Sequence, residues 1–310
     1  MQPVIAVENL TKRYKNAEVN ALDGISFSVA AGEFFALLGP NGAGKTTTIS
    51  ILTTTLAPTA GAALIAGHDV VRAAGAVRRN VGIIFQNPSL DAHLTAEENI
   101  RFHAVLYGLY PFRPAYGLMP PAYQQQVREL AGLLDLEEEI FRPIRTLSHG
   151  MKRKLEIIRS LVHRPQVLFL DEPTIGLDPL SRRHLWEYVG RIRRESGTTI
   201  LMTTHYLEET EQADRICILN KGRIVSLGTP AQIKTDLIDE YLLIDAADRE
   251  QLRAELGRLG LRFSETPLFK IELKGRSAQH IIKSIDTPLS VLQTHLPTVE
   301  DAYLEVLANS

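Results

Sequence analysis

The sequence predicts an α/β domain followed by a small α+β domain, and three observations carry that prediction. Short continuous apolar runs alternate with longer helical patterns through the first part of the chain. The phosphate-loop pattern Gly39-Pro-Asn-Gly-Ala-Gly-Lys-Thr46 follows one such run and opens one such helix. From about Leu237 the pattern changes to strand, helix, strand, strand, helix, strand, the split βαβ order of ferredoxin-like domains.

Glu33-Phe-Phe-Ala-Leu-Leu38 and Val167-Leu-Phe-Leu170 are continuous apolar runs, as expected of strands buried on both faces. Further strands are expected at 81–85, 198–202 and 215–219, with helices at about 44–54, 123–134, 148–163, 180–195 and 206–213. The second domain is expected to hold strands at 241–245, 261–264, 268–273 and 289–295, helices at 248–257 and 277–285, and a last helix from about Val299. The boundary is drawn between residues 1–236 and 237–310. The second part reads as a packing or dimerisation module, with a ligand sensor as the alternative.

Composition narrows the function classes. A length of 310 residues suits two domains. An apolar content of 45% with 23% charged residues is that of a globular protein able to bury a core. The net charge of -2 gives no reason to expect a nucleic-acid partner, and residues 237–310 carry 8 basic against 12 acidic residues. The single cysteine, Cys217, excludes an internal disulfide and lies in Arg215-Ile-Cys-Ile-Leu219, where it reads as a buried strand residue. No apolar stretch approaches the roughly 18 residues that span a bilayer, and Met1-Gln-Pro-Val-Ile lacks the character of a signal peptide. Any membrane role is therefore expected to come through a partner.

The chemistry begins with Gly39, Pro40, Asn41, Gly42, Ala43, Gly44, Lys45 and Thr46, with Thr47 following. Glycines let backbone N–H groups converge on phosphate oxygens, and the helix behind them presents its positive end. Lys45 is placed to reach the β- and γ-phosphates, and the Thr46 hydroxyl to ligate Mg²⁺. Val167-Leu-Phe-Leu-Asp-Glu172 then ends a buried strand in two acids, a poor structural choice without a cation nearby. Asp171 is expected to hold Mg²⁺ and Glu172 to polarise the attacking water, as general base or as its orienter.

Between these elements lies Leu147-Ser-His-Gly-Met-Lys-Arg-Lys154, at the start of an expected helix that Ser148 can cap. With it, residues 4–235 resemble the ATP-binding subunits of ABC transporters. The resemblance implies ATP and Mg²⁺ as cofactors, and a helical subdomain over about 87–165. It also implies that Ser148 and Gly150 face the γ-phosphate held by a second subunit. His149 and Met151 stand where the family has Gly and Gln, and His149 reads as an idle surface histidine. Tyr14 resembles the aromatic that stacks on adenine. Gln86 resembles the glutamine that touches Mg²⁺ and relays nucleotide state to the membrane partner. Asp178, in Gly176-Leu-Asp-Pro179, resembles the centre of the loop joining two subunits. His205, after Thr203-Thr204, resembles the histidine that contacts the γ-phosphate and positions Glu172.

The remaining candidates read as structure. His68, His93, His103 and His163 show no metal-ligand spacing. Lys152, Arg153 and Lys154 read as a solvated or partner-facing basic run, and Trp186 as core. Residues 106–123 hold four prolines and four tyrosines, which excludes a regular helix or central strand. Two readings of this loop stay open: its tyrosines and Phe112 border a docking surface for the membrane subunit, or they pack on their own domain.

The segment from Leu147 to Pro179 and the tail Leu296–Glu305 resemble exporter subunits of the daunorubicin-resistance type. The function expected is ATP hydrolysis driving dimer closure and powering export. The expected partners are an integral membrane permease subunit and a second ATP-binding subunit, with no nucleic acid, at the cytoplasmic face of the membrane. The alternatives are an importer subunit, and a soluble ABC ATPase acting on nucleic acid or ribosomes. Against the latter stand one cassette, no sustained heptads and no basic surplus. Intact Lys45, Asp171, Glu172 and His205 oppose a vestigial ATPase.

Overall fold

The computed structural model describes residues 3–85, 89–175, 177–237, 241–273, 276–295 and 303. The chain divides into two compact units, Met1–Leu227 and Gly228–Ser310, whereas the sequence pattern drew the line at 236/237. Helix α8 (Pro230–Leu237) thus falls within the second unit; the elements before it are numbered below in chain order.

The first unit is built on a six-stranded sheet. Its strands are β3 (Phe34–Leu38), β6 (Val81–Ile84), β7 (Val167–Asp171), β8 (Thr199–Thr204), β9 (Arg215–Asn220) and β10 (Arg223–Gly228), in the order β10-β9-β3-β8-β7-β6. From β9 to β6 neighbouring strands run parallel. Every residue of β3, β7 and β8 is buried, which explains their continuous apolar sequences. Cys217 lies fully buried in β9, and burial pushes its thiol up to about 12. Register pairs Leu38 with Thr204 and Asp171 with Thr203, so the carboxyl ends of β3, β7 and β8 meet at one edge. In parallel sheets that edge is where ligands bind.

A second, antiparallel sheet was not among the expected strands. It joins β1 (Ile5–Lys12), β2 (Leu22–Val29), β4 (Ala60–Ile65) and β5 (His68–Asp69) in the order β2-β1-β4-β5. The pairing of β1 with β2 shifts register twice, between Val7 and Leu10 and again before Lys12. Such irregularities break the period-two alternation that marks a strand in sequence. Phe27 of β2 stacks on Phe35 of β3 at 5.3 Å, joining both sheets in one core.

Helices α1 (Lys45–Leu52) and α2 (Ala74–Asn80) precede a helical part made of α3 (Ala96–Leu106), α4 (Pro121–Leu133) and α5 (His149–Leu161). A reciprocal capping box between Thr95 and Glu98 starts α3, and Pro121 at the first position starts α4. Tyr123 is fully buried and donates to Glu97 Oε1 at 2.9 Å. Tyr110 and Tyr116 meet its ring edge-on at 5.4 and 6.2 Å, and Tyr107 stacks on His103 at 4.3 Å. The four tyrosines therefore pack on their own domain, Tyr123 fully buried and the other three half-buried. Phe112 stays 51% exposed, stacked on Phe102.

Two other expectations are corrected here. Arg153 is buried, not solvated, and Lys154 is partly covered, 3.8 Å from Asp135 and over the Tyr188 ring. Trp186, on α6 (Pro179–Ser196), is half-buried with its ring 6.1 Å from that of Phe34, so it borders the core without filling it. Helix α7 (Leu207–Thr210) completes this unit's helices.

In the second unit β11 (Tyr241–Ala246), α9 (Arg249–Arg258), β12 (Phe263–Thr266), β13 (Leu268–Glu272), α10 (Ala278–Lys283) and β14 (Leu289–His295) follow the anticipated order. The sheet runs β12-β13-β11-β14, all antiparallel, which is the ferredoxin-like arrangement. Leu242, Ile244, Phe269 and Ile271 pack against Leu252 and Leu256 of α9 and Ile281 of α10. Buried Glu255 accepts from the Asp286 and Thr287 amides at 2.8 and 3.0 Å and from the Thr287 hydroxyl, fastening α9 to the turn after α10. The helix expected from Val299 lies outside the described residues, apart from Tyr303.

His103 and His163 are structural, as expected: His163 Nε2 lies 2.8 Å from the Val81 carbonyl, and both rings pack with Tyr107. Burial pushes His103 down to about 3, with Arg159 and His163 adding positive charge beside it. An unfolded histidine titrates near 6.5, so in between the unfolded chain binds a proton that the folded chain refuses. The stability tied to His103 is complete above about pH 6.5 and is lost as pH falls below it. His103→Phe is expected to lessen the drop in melting temperature between pH 7.5 and 5; equal drops in both proteins would contradict this.

Candidate active site

Gly39–Thr46 turns directly from the buried end of β3 into α1. Two of its glycines are dictated by space and backbone. At Gly39 a Cβ would stand 2.4 Å from the Leu219 carbonyl oxygen and 2.9 Å from the Ala43 Cβ. Gly44 has φ +108, and a Cβ there would stand 2.7 Å from the Ala21 carbonyl oxygen. The loop is held from outside by the Gly222 amide, which donates to the Ala43 carbonyl at 3.0 Å. Asn41 and Gly42 are exposed at its tip, Thr46 is exposed on the first turn of α1, and Thr47 is half-buried. Tyr14, just past β1, keeps an exposed ring, with its hydroxyl 3.2 Å from Thr47 Oγ1.

Lys45 is buried, and its ammonium donates to the Gly39 carbonyl at 2.6 Å and the Pro40 carbonyl at 3.2 Å. Across the sheet edge it lies 3.6 Å from Glu172 Oε1, while His205 Nδ1 lies 3.2 Å from Glu172 Oε2. Burial works to lower the Lys45 pKa, opposed by the charges of Glu172 and Asp171. Burial also raises the Asp171 carboxyl, with the Thr203 hydroxyl pulling it back and Glu172 pushing it further up. Two adjacent acids thus share one ammonium, an excess of negative charge at the edge where phosphates would sit.

Thr203 holds the acids in place, a role that its position as a flank of His205 does not reveal in the sequence. Its hydroxyl donates to Asp171 Oδ1 at 2.5 Å, and the Glu172 amide donates to its carbonyl at 3.1 Å. Glu172 has φ +46, a left-handed conformation that costs a non-glycine residue roughly 1 kcal/mol. One position later in β8, the Thr204 hydroxyl donates to buried Glu209 on α7, whose carboxylate also accepts from the Thr174 hydroxyl. The segments after Glu172 and after His205 are therefore tied together. The signal in sequence was Thr203-Thr204 at the end of an apolar strand, polar groups in need of partners.

Ser148, Gly150 and Asp178 gather at a second place. Ser148 is the exposed N-cap of α5, accepting from the Met151 amide at 3.2 Å, so its hydroxyl proton is free to donate. His149 is exposed beside it. Asp178 caps α6, accepting from the Leu180 and Ser181 amides at 3.0 Å and the Ser181 hydroxyl at 2.6 Å; these bonds, the Ser181 hydroxyl first, hold its carboxyl below the usual range. Gly150 packs on Ser181 so closely that a Cβ would sit 3.0 Å from the hydroxyl. Among the described residues no hydrogen bond or ion pair joins Ser148 or Asp178 to Lys45, Glu172 or His205. Gln86 and Gly176 lie outside the described residues.

Comparison with known proteins gives the same reading. The pattern of the ABC transporter family matches residues 22–175. The daunorubicin resistance ATP-binding protein DrrA3 of Streptomyces coeruleorubidus is 39% identical over 258 residues, 83% of this chain and 78% of that one. Nod factor export ATP-binding protein I of Burkholderia lata is 37% identical over 298 residues, 86% of this chain and 94% of that one. Among solved structures, the dimeric post-hydrolysis state of the ATP-binding cassette MJ0796 with ADP and Pi superposes with a TM-score of 0.64 at 26% identity, covering 73% of this chain and 98% of that one.

Thr203 supplies the prediction. Thr203→Val removes one hydroxyl from a buried site and leaves Asp171 without its donor, at a cost of about 1–3 kcal/mol. Denaturant unfolding is expected to show that loss, and phosphate release to fall at least about tenfold. Wild-type turnover in the folded variant would remove Thr203 from the site.

Proposed function

This chain belongs to the ATP-binding subunits of ABC transporters, and from that premise we propose that it powers export through separate membrane-spanning subunits, by ATP-driven closure of a dimer. The observation that carries the proposal is the division of the site. Lys45, Glu172 and His205 cluster at one sheet edge, while Ser148 and Gly150 stand at a helix start with unspent donors. Donors of that kind suit the phosphate held by a second chain.

Each residue then has a defined task. The loop amides and Lys45 take the β- and γ-phosphates, and Tyr14 offers its open face to the adenine. Glu172 takes the proton of the attacking water as the oxygen bonds to the γ-phosphorus, and the bond to the β–γ bridging oxygen breaks. His205, 3.2 Å away, fixes the Glu172 carboxylate and reaches the γ-phosphate. The Thr46 hydroxyl and the Asp171 carboxylate are hard oxygen donors, and Asp171 and Glu172 together outweigh the Lys45 charge, which fits Mg²⁺. Among the described residues no group of three His, Cys, Asp or Glu forms a site by itself, so phosphate oxygens would complete the coordination. Mg²⁺ there would neutralise charge developing on the phosphates. Asp178 would meet the second chain at the α6 cap.

The membrane subunit finds its seat on the helical part. Phe102, Leu106, Leu109, Phe112 and Leu118 are exposed apolar side chains on α3 and the loop after it, a surface better suited to an interface than to water. The described residues contain no helix able to cross a membrane, and attachment through this face would hold the chain at the membrane surface, on the cytoplasmic side where ATP is supplied.

Glu172→Gln is expected to cut phosphate release by more than about a hundredfold and to accumulate an ATP-bound dimer in gel filtration. Normal turnover without such a dimer would defeat the mechanism. Leu106→Ser with Phe112→Ser is expected to abolish co-purification with an integral membrane protein from native membranes while nucleotide binding persists. Undiminished co-purification would move the seat elsewhere, and capture of soluble partners alone by the wild-type chain would overturn the transporter reading.

A further inference from the structure

A basic run on a helix belongs in solvent, yet Arg153 is 6% exposed and its neighbour Glu156 is 0% exposed. The two form an ion pair at 3.0 Å. Burying two charges costs several kcal/mol per ion before their attraction offsets it, so a buried pair that persists is expected to hold something else in place. What Arg153 holds is backbone. Its Nε donates to the Pro173 carbonyl at 3.0 Å, and its Nη1 to the Phe85 carbonyl at 2.5 Å. Glu156 Oε1 accepts from the Ser89 amide at 2.9 Å, and Arg159, one turn further on, donates to the Ser89 carbonyl at 2.7 Å. A planar fork with several N–H groups reaches two carbonyls and a carboxylate at once, which a lysine cannot.

Pro173 directly follows Glu172, which sits at φ +46. A residue in that conformation stays there where its surroundings over-determine it. Thr203 fixes the amide on the upstream side, and Arg153 fixes the first carbonyl downstream. Arg153 also lies little more than one turn from Ser148, on the same helix. One rigid element thus presents the Ser148 hydroxyl at its start and grips the chain one residue past Glu172.

We propose that Arg153, held by Glu156, is a positioning residue for ATP hydrolysis that ties the placement of Glu172 to the start of α5. The face offered to the second chain and the carboxylate that activates water are then linked through one side chain. The proposal rests on the roles given above to Glu172 and Ser148.

Arg153→Lys, Arg153→Met and Glu156→Gln test it in the full chain, with kcat from phosphate release, the Kd of a fluorescent ATP analogue and the melting temperature. Lysine reaches one carbonyl but not both, so kcat is expected to fall about tenfold in Arg153→Lys and about a hundredfold in Arg153→Met. The Kd should stay within about twofold, because Lys45 and the glycine loop are untouched. Wild-type kcat in a folded Arg153→Met overturns the proposal. So does a parallel loss of kcat, nucleotide affinity and melting temperature that is equal in all three variants, since that describes a structural residue. Glu172→Gln run alongside separates the two levels: turnover retained there removes the reading beneath the proposal, whereas a dead Glu172→Gln with an active Arg153→Met removes the link alone.

Discussion

The parallel alignment of β3, β8 and β7 is the constraint on which the site depends. Leu38 stands beside Thr204, and Asp171 beside Thr203, so three loops of unrelated sequence emerge at one edge. A slip of one residue would turn every side chain of a strand to the opposite face and part Thr203 from Asp171. With all three strands buried on both faces, burial alone does not choose between registers, and the bonds of Thr203 to Asp171 and to the Glu172 amide do. The placing of Lys45, Asp171 and Glu172 is therefore an outcome of strand pairing.

Much of this was legible in sequence, because it rests on local pattern. The glycine loop, the acids ending β7 and the order of the second unit are short-range signals of spacing and periodicity. What escaped depends on partners distant in the chain. Arg153 looked solvated because nothing near it in sequence shows that Pro173 and Phe85 close over it. Thr203 looked like an ordinary strand threonine, since its bond to Asp171 exists only once β7 and β8 are in register. For the tyrosines of 106–123 the sequence left two readings open, a docking surface or packing on their own domain, because aromatic content cannot reveal which way a ring turns. The capping box of α3 was a readable signal that went unread, whereas the irregular register of β1 removed the alternation that would have marked its sheet.

Both clusters of the site are ordered by bonds that the chain itself supplies. At the sheet edge Lys45 is held by carbonyls of its own loop, and Glu172 by Thr203 and Lys45. The second cluster is ordered just as locally, by the caps of α5 and α6 and the tight contact of Gly150 with Ser181. Each cluster is ordered by bonds of its own, and Arg153 joins the start of α5 to the segment after Glu172.

Cys217 has a practical consequence. Sealed inside β9 with a strongly raised thiol pKa, it is protected from thiol reagents, and it is the sole cysteine of the chain. The wild-type protein is thus a silent background for labelling. A spin label or fluorophore on a cysteine introduced at an exposed position such as His149 would report from that point alone, without first replacing the native cysteine.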